Sequence, residues 1–576
     1  MAIENLHAAL FAAPPGTAFP ISDQELIFQP DDREDRHVMT HDVYSALNLC
    51  SGFAELASHA SALMAQNPRL ERAQITRVLE NLCQRGLLQP AAVLTGAGVA
   101  GVMPGALRTI AILTSGHPAQ LQACLASLRE ADPSREFGIV LADISDSTEH
   151  RARKLELVAD FGRKTGQRVV ILEHKIERWL AERESASPQL HEGLAQLFGK
   201  SAGKRARALN AIALVCAGER VLMLDDSQRL RLFGAKNWRE MPLMISQTTP
   251  RMPSFFQSPE AATASYEQAG SFWSVADTWL GQSIGPLLSQ LDVEGMRWAE
   301  LAAYKDARVQ RLALGAVGSA DTEHSLWLFR ASQAELANFA DRGALDLALS
   351  GSAVALQYGA LELSAGIGAS PQAIDFSTGS GFALGNGEDA DRSFSALTSA
   401  FDPRNHELRM PLSLERRSAL MLRAQTNRAL LTPSFERFFA DQINDIAPVC
   451  HAHTPAARAL WLSAQMQDFA ESSNQERQMI VWRYLTAQRA GLLNQLQSCL
   501  VNAGAAPEPL RHELLNTIKM QAEAGLQMRL PSLSDTPVGL NAVEISNWLQ
   551  GKLIDSASAI STWGALQADA DLRRID

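Results

Sequence analysis

KRARALNAIALVCAGERVLMLDDS, residues 204–227, holds the two patterns that decide the fold. Its first half places apolar residues at helical spacing through 205–217, and Gly218 then interrupts the pattern. Its second half, Arg220 to Leu224, is apolar along its length and ends abruptly in Asp225-Asp226-Ser227. A strand without polar alternation, fed by a helix, belongs in a parallel sheet covered on both faces. Working outward, the same alternation recurs upstream. RTIAILT (108–114) precedes a helix carrying Leu121, Cys124, Leu125 and Leu128; FGIVLAD (137–143) precedes a charged helix over 148–162; RVVILE (168–173) follows. The reading is an α/β fold built on a parallel sheet covered on both faces.

Ligands collect at the carboxyl ends of such strands. There the chain places Thr114-Ser115-Gly116-His117-Pro118, Asp143-Ile144-Ser145-Asp146 and Asp225-Asp226-Ser227. Two adjacent carboxylates are costly at a strand end unless a cation or hydrogen-bond donors face them. A divalent metal carrying a diphosphate meets that need. A solvated turn carrying the same residues is the alternative reading. Farther on, Gly379-Ser380-Gly381 and Gly385-Asn386-Gly387 precede Glu388-Asp389-Ala390-Asp391. Ser393, Phe394 and Leu397 follow at helical spacing, which puts Glu388 and Asp389 in a first helical turn, where an ionised carboxylate is favoured. The glycines are expected to let backbone approach a bound acceptor.

Taken in order, the motifs resemble the GT-A type inverting glycosyltransferases, family 2 in particular. The shared elements are the strand-end Asp pairs, the Lys204–Asn210 helix start, Gly218-Glu219 before the Asp225-Asp226 strand, the Gly-Glu-Asp run at 387–389, and His453 with Pro455 and Arg458. The resemblance implies transfer of a sugar from a nucleotide-sugar donor to a hydroxyl acceptor. It implies donor binding by Thr114, Asp143, Arg205, Arg207, Asn210 and Asp225, with an arginine near the diphosphate. Asp389 would be the general base and Glu388 would orient the acceptor. Asp226 and His453 would hold Mn2+ or Mg2+. The chain departs from the pattern at His117, at Leu209, where the family prefers arginine, and at Ser227, where a third carboxylate normally meets the metal. Those departures keep a second reading open, a non-catalytic binding or scaffold protein on a degenerate transferase fold.

The 576 residues suggest two or three domains. Residues 1–100 read as a separate unit. A strand at Glu25–Phe28 leads to helices near 41–49 and 52–65, then to a third carrying Ile75, Val78, Leu79 and Leu82 and ending at Arg85-Gly86-Leu87-Leu88. That ending resembles winged-helix domains of the PqqD-like, peptide-recognising kind, which would make the acceptor a peptide or protein. Residues 89–107, with four glycines and two prolines, suit a linker. The transferase domain is expected over 106–460, and a helical region over 461–576, marked by Val481, Leu485, Leu492 and Leu496, is read as a packing or homo-oligomer surface.

Composition is that of a globular protein: 46% apolar, 20% charged, net charge −11. No basic run is long enough to track nucleic acid, and no apolar run suits a transmembrane helix. The N-terminus lacks a basic leader, and the six cysteines form no CxxC pair, so buried reduced thiols and a soluble, cytoplasmic protein are expected. HExxH and Walker loops are missing from the sequence. Trp273, Trp279 and Trp298 lie between the donor and base motifs, where core packing is preferred over an acceptor pocket.

Overall fold

The computed structural model describes residues 9–69, 71–95, 106–187, 190–199, 202–234, 237–245, 254–288, 291–319, 343–344, 346–347, 353–356, 358, 360–364, 373–385, 387–417, 433–508, 510–512, 515–516, 519 and 533–568. The chain divides into two compact units. One comprises 1–103, 242–244 and 281–309; the other comprises 104–241, 245–280 and 310–576.

In the first unit three antiparallel strands, β1 (Gly16–Pro20), β2 (Glu25–Pro30) and β3 (His37–Thr40), form a meander with β2 central. Leu26 and Phe28 alternate inward from β2 to meet helices α1 (His41–Leu49), α2 (Leu56–Gln66) and α3 (Arg72–Gln84). Ile75, Leu79 and Leu82 are buried as their spacing predicts, whereas Val78 stays exposed. Helix α3 ends at Gly86, whose φ of 69° suits glycine, and Leu87 and Leu88 return to the core. The sequence boundary at residue 100 is incomplete. Residues 281–309 belong to this unit: the Phe53 amide donates to the Met296 carbonyl (2.7 Å), and the rings of Phe53 and Trp298 lie 5.8 Å apart.

The second unit is mixed α/β. Strand β4 (Thr109–Thr114) leads to α4 (Pro118–Ala131), β5 (Gly138–Asp143), α5 (Thr148–Thr165) and β6 (Arg168–Ile171). Three helices follow, α6 (Leu172–Ala186), α7 (His191–Phe198) and α8 (Lys204–Val215), before β7 (Arg220–Asp225). The expected strand at 168–173 therefore stops at Ile171, and the next helix starts at once. The four strands are parallel in the order β6-β5-β4-β7. Ala111, Leu113, Val140 and Met223 pack into the large core on one face, while Ile110, Ile112, Leu141 and Leu224 are buried on the other.

Later strands extend the sheet with mixed polarity. They are β8 (Gln228–Gly234), β9 (Arg308–Ser319), β10 (Ala353–Leu356), β11 (Leu361–Ser364), β12 (Ala373–Asp375) and β13 (Asn405–Arg416). Antiparallel β12 pairs with β7, with Ile374 opposite Val221, and β9 follows it. Between β12 and β13 runs α9 (Gly387–Phe401), the helix that the spacing of Ser393, Phe394 and Leu397 foretells.

The C-terminal helices form no separate bundle. α10 (Phe435–Ile446), α11 (Pro455–Glu471), α12 (Asn474–Ala505) and α13 (Ala542–Ala568) contribute to the core beneath β4, β5 and β7. Gly193 and Gly564 permit close crossings. A β-carbon on Gly193 would lie 2.0 Å from Thr562 Oγ1, and one on Gly564 would lie 2.8 Å from Ala459 Cβ. Trp563 is fully buried and donates its indole N–H to the Ser380 carbonyl at 2.7 Å. Of the residues that mark the expected packing or oligomer surface, Val481 and Leu485 of α12 are buried in the core, and the side chains of Leu492 and Leu496 lie outside the described residues. Among the described residues no helix is long and apolar enough to cross a membrane.

Candidate functional site

The order β6-β5-β4-β7 reverses direction between β4 and β7, because the chain leaves β4 toward β5 on one side and returns to β7 on the other. Open α/β sheets bind ligands at the carboxyl ends of strands flanking such a point. Thr114 ends β4 here and Asp225 ends β7.

Asp226 turns inward at this junction. Its Oδ2 accepts from the Thr114 hydroxyl at 2.5 Å and from the Gly116 amide at 2.9 Å, and the residue is only 4% exposed. Burial pushes its pKa up. The bonds from Thr114 and Gly116 and the charge of Lys154 act the other way, and Asp225 adds to the rise. Asp225 takes the other direction. Its amide donates to Gln228 Oε1 (2.9 Å), and its Oδ1 lies 3.4 Å from Arg205 Nη1. Arg205, from the first turn of α8, also donates through Nε to both oxygens of Asp391 (3.1 Å each), and its Nη2 lies 3.0 Å from Oδ2. The guanidinium thus ties the end of β7 to the start of α9. The flanking carboxylates outweigh the cost of its burial and hold it charged.

These groups border a narrow cleft, partly open to solvent, whose apolar lining includes Leu113, Met223, Ile374 and Phe394. Asp391 lines it; Asp389 does not. Helical residues two apart project to nearly opposite sides. Asp389 accepts instead from Ser434 Oγ (2.8 Å), the N-cap of α10, close to Glu436. Burial pushes the Glu436 carboxyl up, reinforced by Asp535 and Asp389 and opposed by Lys552. The side chain of Glu388, and residue Asn386, lie outside the described residues.

The other expected donor residues divide. Asn210 is fully buried and engaged. Its Nδ2 donates to the carbonyls of Leu197 (3.0 Å) and Ala383 (3.1 Å), and its Oδ1 accepts from the Ala383 amide (2.6 Å). It clasps the backbone and does not line the cleft. Asp143 pairs with the wholly buried Lys154 at 3.3 Å and accepts from the Ser145 amide at 2.9 Å. Its Oδ2 is ion-paired with Arg151 Nε at 4.0 Å, and the hydroxyl of Ser145 is buried without a hydrogen-bond partner. Arg207 is half-buried, and its Nε–H also lacks a partner. Lys204 bonds to Asp146.

The expected metal pair does not fit. Asp226 is turned inward onto Thr114 and Gly116, Ser227 supplies no carboxylate, and His453 is exposed on the loop before α11. Among the described residues no three His, Cys, Asp or Glu side chains group closely enough to hold a metal ion. Arg458, three positions beyond Pro455, clamps backbone instead: its guanidinium donates to the carbonyls of Ala400, Cys450 and Ala447 at 2.5–2.8 Å.

The glycine-rich approach to α9 also has a different cause from the one expected. A β-carbon on Gly381 would lie 2.4 Å from the Thr398 amide nitrogen, and one on Gly385, at φ 82°, would lie 2.6 Å from Glu436 Cγ. These glycines let the segment pack on its own helices. Of the tryptophans, Trp273 and Trp298 are buried, Trp273 under the Arg135 guanidinium at 4.5 Å, and Trp279 is half-buried. Cys50, Cys83, Cys124, Cys216 and Cys450 are free thiols, and burial pushes Cys50 and Cys124 up to about 12.

Sequence reasoning missed Asp391, Gln228 and Lys154. Asp391 stands two residues beyond the singled-out Asp389, but its partner Arg205 is 186 positions away. No local pattern carries that pairing. No protein-family model, curated protein or solved structure matches the chain.

Proposed function

We propose that this chain is a glycosyltransferase, which binds a nucleotide-activated sugar at the carboxyl ends of β4, β5 and β7 and transfers the sugar to an acceptor hydroxyl with inversion. The observation that carries the reading is the meeting of Asp225, Arg205 and Asp391 in one cleft at the strand-order reversal. The Ser145 hydroxyl, buried without a hydrogen-bond partner, and the Asp143 carboxylate at the end of β5 are the candidate polar subsite for the nucleoside. Asp225 faces the transferred sugar. Asp391 takes the proton of the acceptor hydroxyl, which attacks the anomeric carbon as the nucleoside diphosphate departs. Arg205 anchors the Asp391 carboxylate at the cleft. The base assigned by resemblance, Asp389, is held by Ser434, so the geometry favours its neighbour. Arg207, with a free Nε–H, is the candidate cation for the leaving diphosphate. Because the expected metal ligands do not fit, no step runs through Mn2+ or Mg2+.

The N-terminal unit is the candidate acceptor-binding module. β3 pairs with β2 alone among the described strands, which leaves one edge for an extended peptide. One observation favours the scaffold reading: Asp225 and Asp391 are already satisfied by Arg205 without a ligand.

Calorimetry with nucleotide sugars, followed by assay of sugar release or transfer, tests the proposal. Donor binding with turnover supports it. Binding without turnover on any hydroxyl acceptor or water favours the scaffold, and failure to bind any nucleotide sugar refutes both.

A further inference from the structure

We propose that Arg311 is a positioning residue for the transfer reaction: from β9 it sets the rotation of α9 that brings Asp391 to the cleft. The inference rests on the glycosyltransferase reading, with Asp391 as its base.

Arg311 is fully buried, so it touches no substrate. It pairs across the sheet with Ile374, which lines the cleft, and so stands directly behind that wall. Its guanidinium reaches α9. Nη1 donates to the hydroxyl of Ser395 and, at 3.4 Å, to that residue's carbonyl, and Nη2 donates to the Ser399 hydroxyl at 2.9 Å. Asp391, Ser395 and Ser399 recur every four positions and share one face of the helix. Arg205 therefore grips the head of this stripe, and Arg311 its next two members. Burial disfavours the charge of Arg311, and the carboxylate of Glu407 on the adjacent strand offsets only part of that cost. An apolar side chain would fill the same space without it. What an apolar side chain would not supply is direction. The stretch of α9 beside Arg311 is rich in small residues, Ser395, Ala396, Ser399 and Ala400, which offer shallow ridges against rotation. Hydrogen bonds from a planar guanidinium are directional and hold the setting. The setting matters because a side-chain tip lies about 5–6 Å from the helix axis, so a turn of about 20° moves it by about 2 Å. A displacement of that size takes a base out of reach of its proton.

The test is steady-state kinetics of the full chain on UDP-glucose, UDP-galactose, UDP-N-acetylglucosamine and GDP-mannose, with water and a pool of Ser/Thr peptides as acceptors. Release of UDP or GDP gives kcat, and calorimetry gives donor affinity separately. With whichever donor the native chain turns over, Arg311→Met should lower kcat about tenfold to a hundredfold and leave donor affinity within about twofold. Arg311→Lys keeps the charge without the planar fork and should recover part of the loss. Ser395→Ala combined with Ser399→Ala removes the hydroxyl partners from the helix side and favours the helix, so it stays informative if Arg311→Met fails to fold. This pair should lower kcat in the same way, and adding it to Arg311→Met should cost little more, because both break one contact. Native kcat in a folded Arg311→Met, or in the serine pair, overturns the inference and leaves the glycosyltransferase reading intact. So does a loss of donor affinity that matches the loss of kcat, the mark of a structural role alone. A native chain that turns over none of these donors overturns the glycosyltransferase reading and this inference together.

Discussion

Arg205 in α8 grips Asp391 in α9 through two nitrogens, at 3.0 and 3.1 Å, and so fixes the start of one helix against the start of another. Both side chains are mostly shielded from solvent, with exposures of 19% and 15%. Replacing Arg205 with Gln removes the cation and leaves Asp225 and Asp391 facing each other. The expected loss is about 1–3 kcal/mol of stability, read from urea denaturation, as for lost hydrogen bonds to charged groups. Arg205→Lys restores the charge without the planar fork and should recover only part of it.

The choice between Asp391 and Asp389 is open to direct kinetics. Asp391→Asn keeps the shape of the side chain and removes its basicity. Transfer should fall by roughly two to four orders of magnitude with donor affinity largely kept. Asp389→Asn should cost much less, because Asp389 meets Ser434 outside the cleft. The reverse ranking would return the base to Asp389.

Asp226 gives a pH signature with a definite sign. Its pKa is raised in the folded protein, so the native state binds more protons than the unfolded chain between the ordinary aspartate value and the raised one. Its contribution is full below the ordinary value and is lost as pH rises through the folded value. Thermal melts of the native protein and of Asp226→Asn across pH 3–7 should show the variant gaining relative stability as pH rises. A constant difference would mean that Asp226 titrates normally.

His406 works in the opposite sense. Burial lowers its pKa to about 4, with the charge of Arg311 in the same direction, while a bond to the Arg404 carbonyl and the charge of Asp402 oppose. The folded state keeps the ring neutral while the unfolded chain takes up a proton, so stability falls as pH drops from about 6.5 to 4. His406→Gln should flatten that limb of the pH–stability curve.

A chain beginning at residue 106 should not remain well folded. It lacks Phe53, against which Trp298 packs, and the partners of the whole 281–309 segment. Increased binding of a hydrophobic dye and concentration-dependent aggregation are expected. A monomeric, cooperatively melting product would show that 281–309 finds other cover.

By itself the sequence determined the local architecture of the sheet and the N-terminal helices. Uniformly apolar runs such as Val221–Leu224 are tolerated only where both faces are buried, and the helix through Phe394 and Leu397 follows from its 3.6-residue period. It also marked the strand ends as the polar places. What the tertiary structure decided is which polar groups meet. Asp225 and Asp226 are adjacent in the chain, yet Asp226 turns in to Thr114 while Asp225 faces Arg205. Asp391 rather than Asp389 reaches the cleft because α9 is docked with that side inward. The C-terminal helices joined the main core, and residues 281–309 joined the N-terminal unit, through contacts between residues far apart in the chain, such as Trp563 with Ser380 and Phe53 with Trp298. Periodicity says which face of an element is apolar; only packing selects the partner that covers it, because every apolar stripe has the same chemistry.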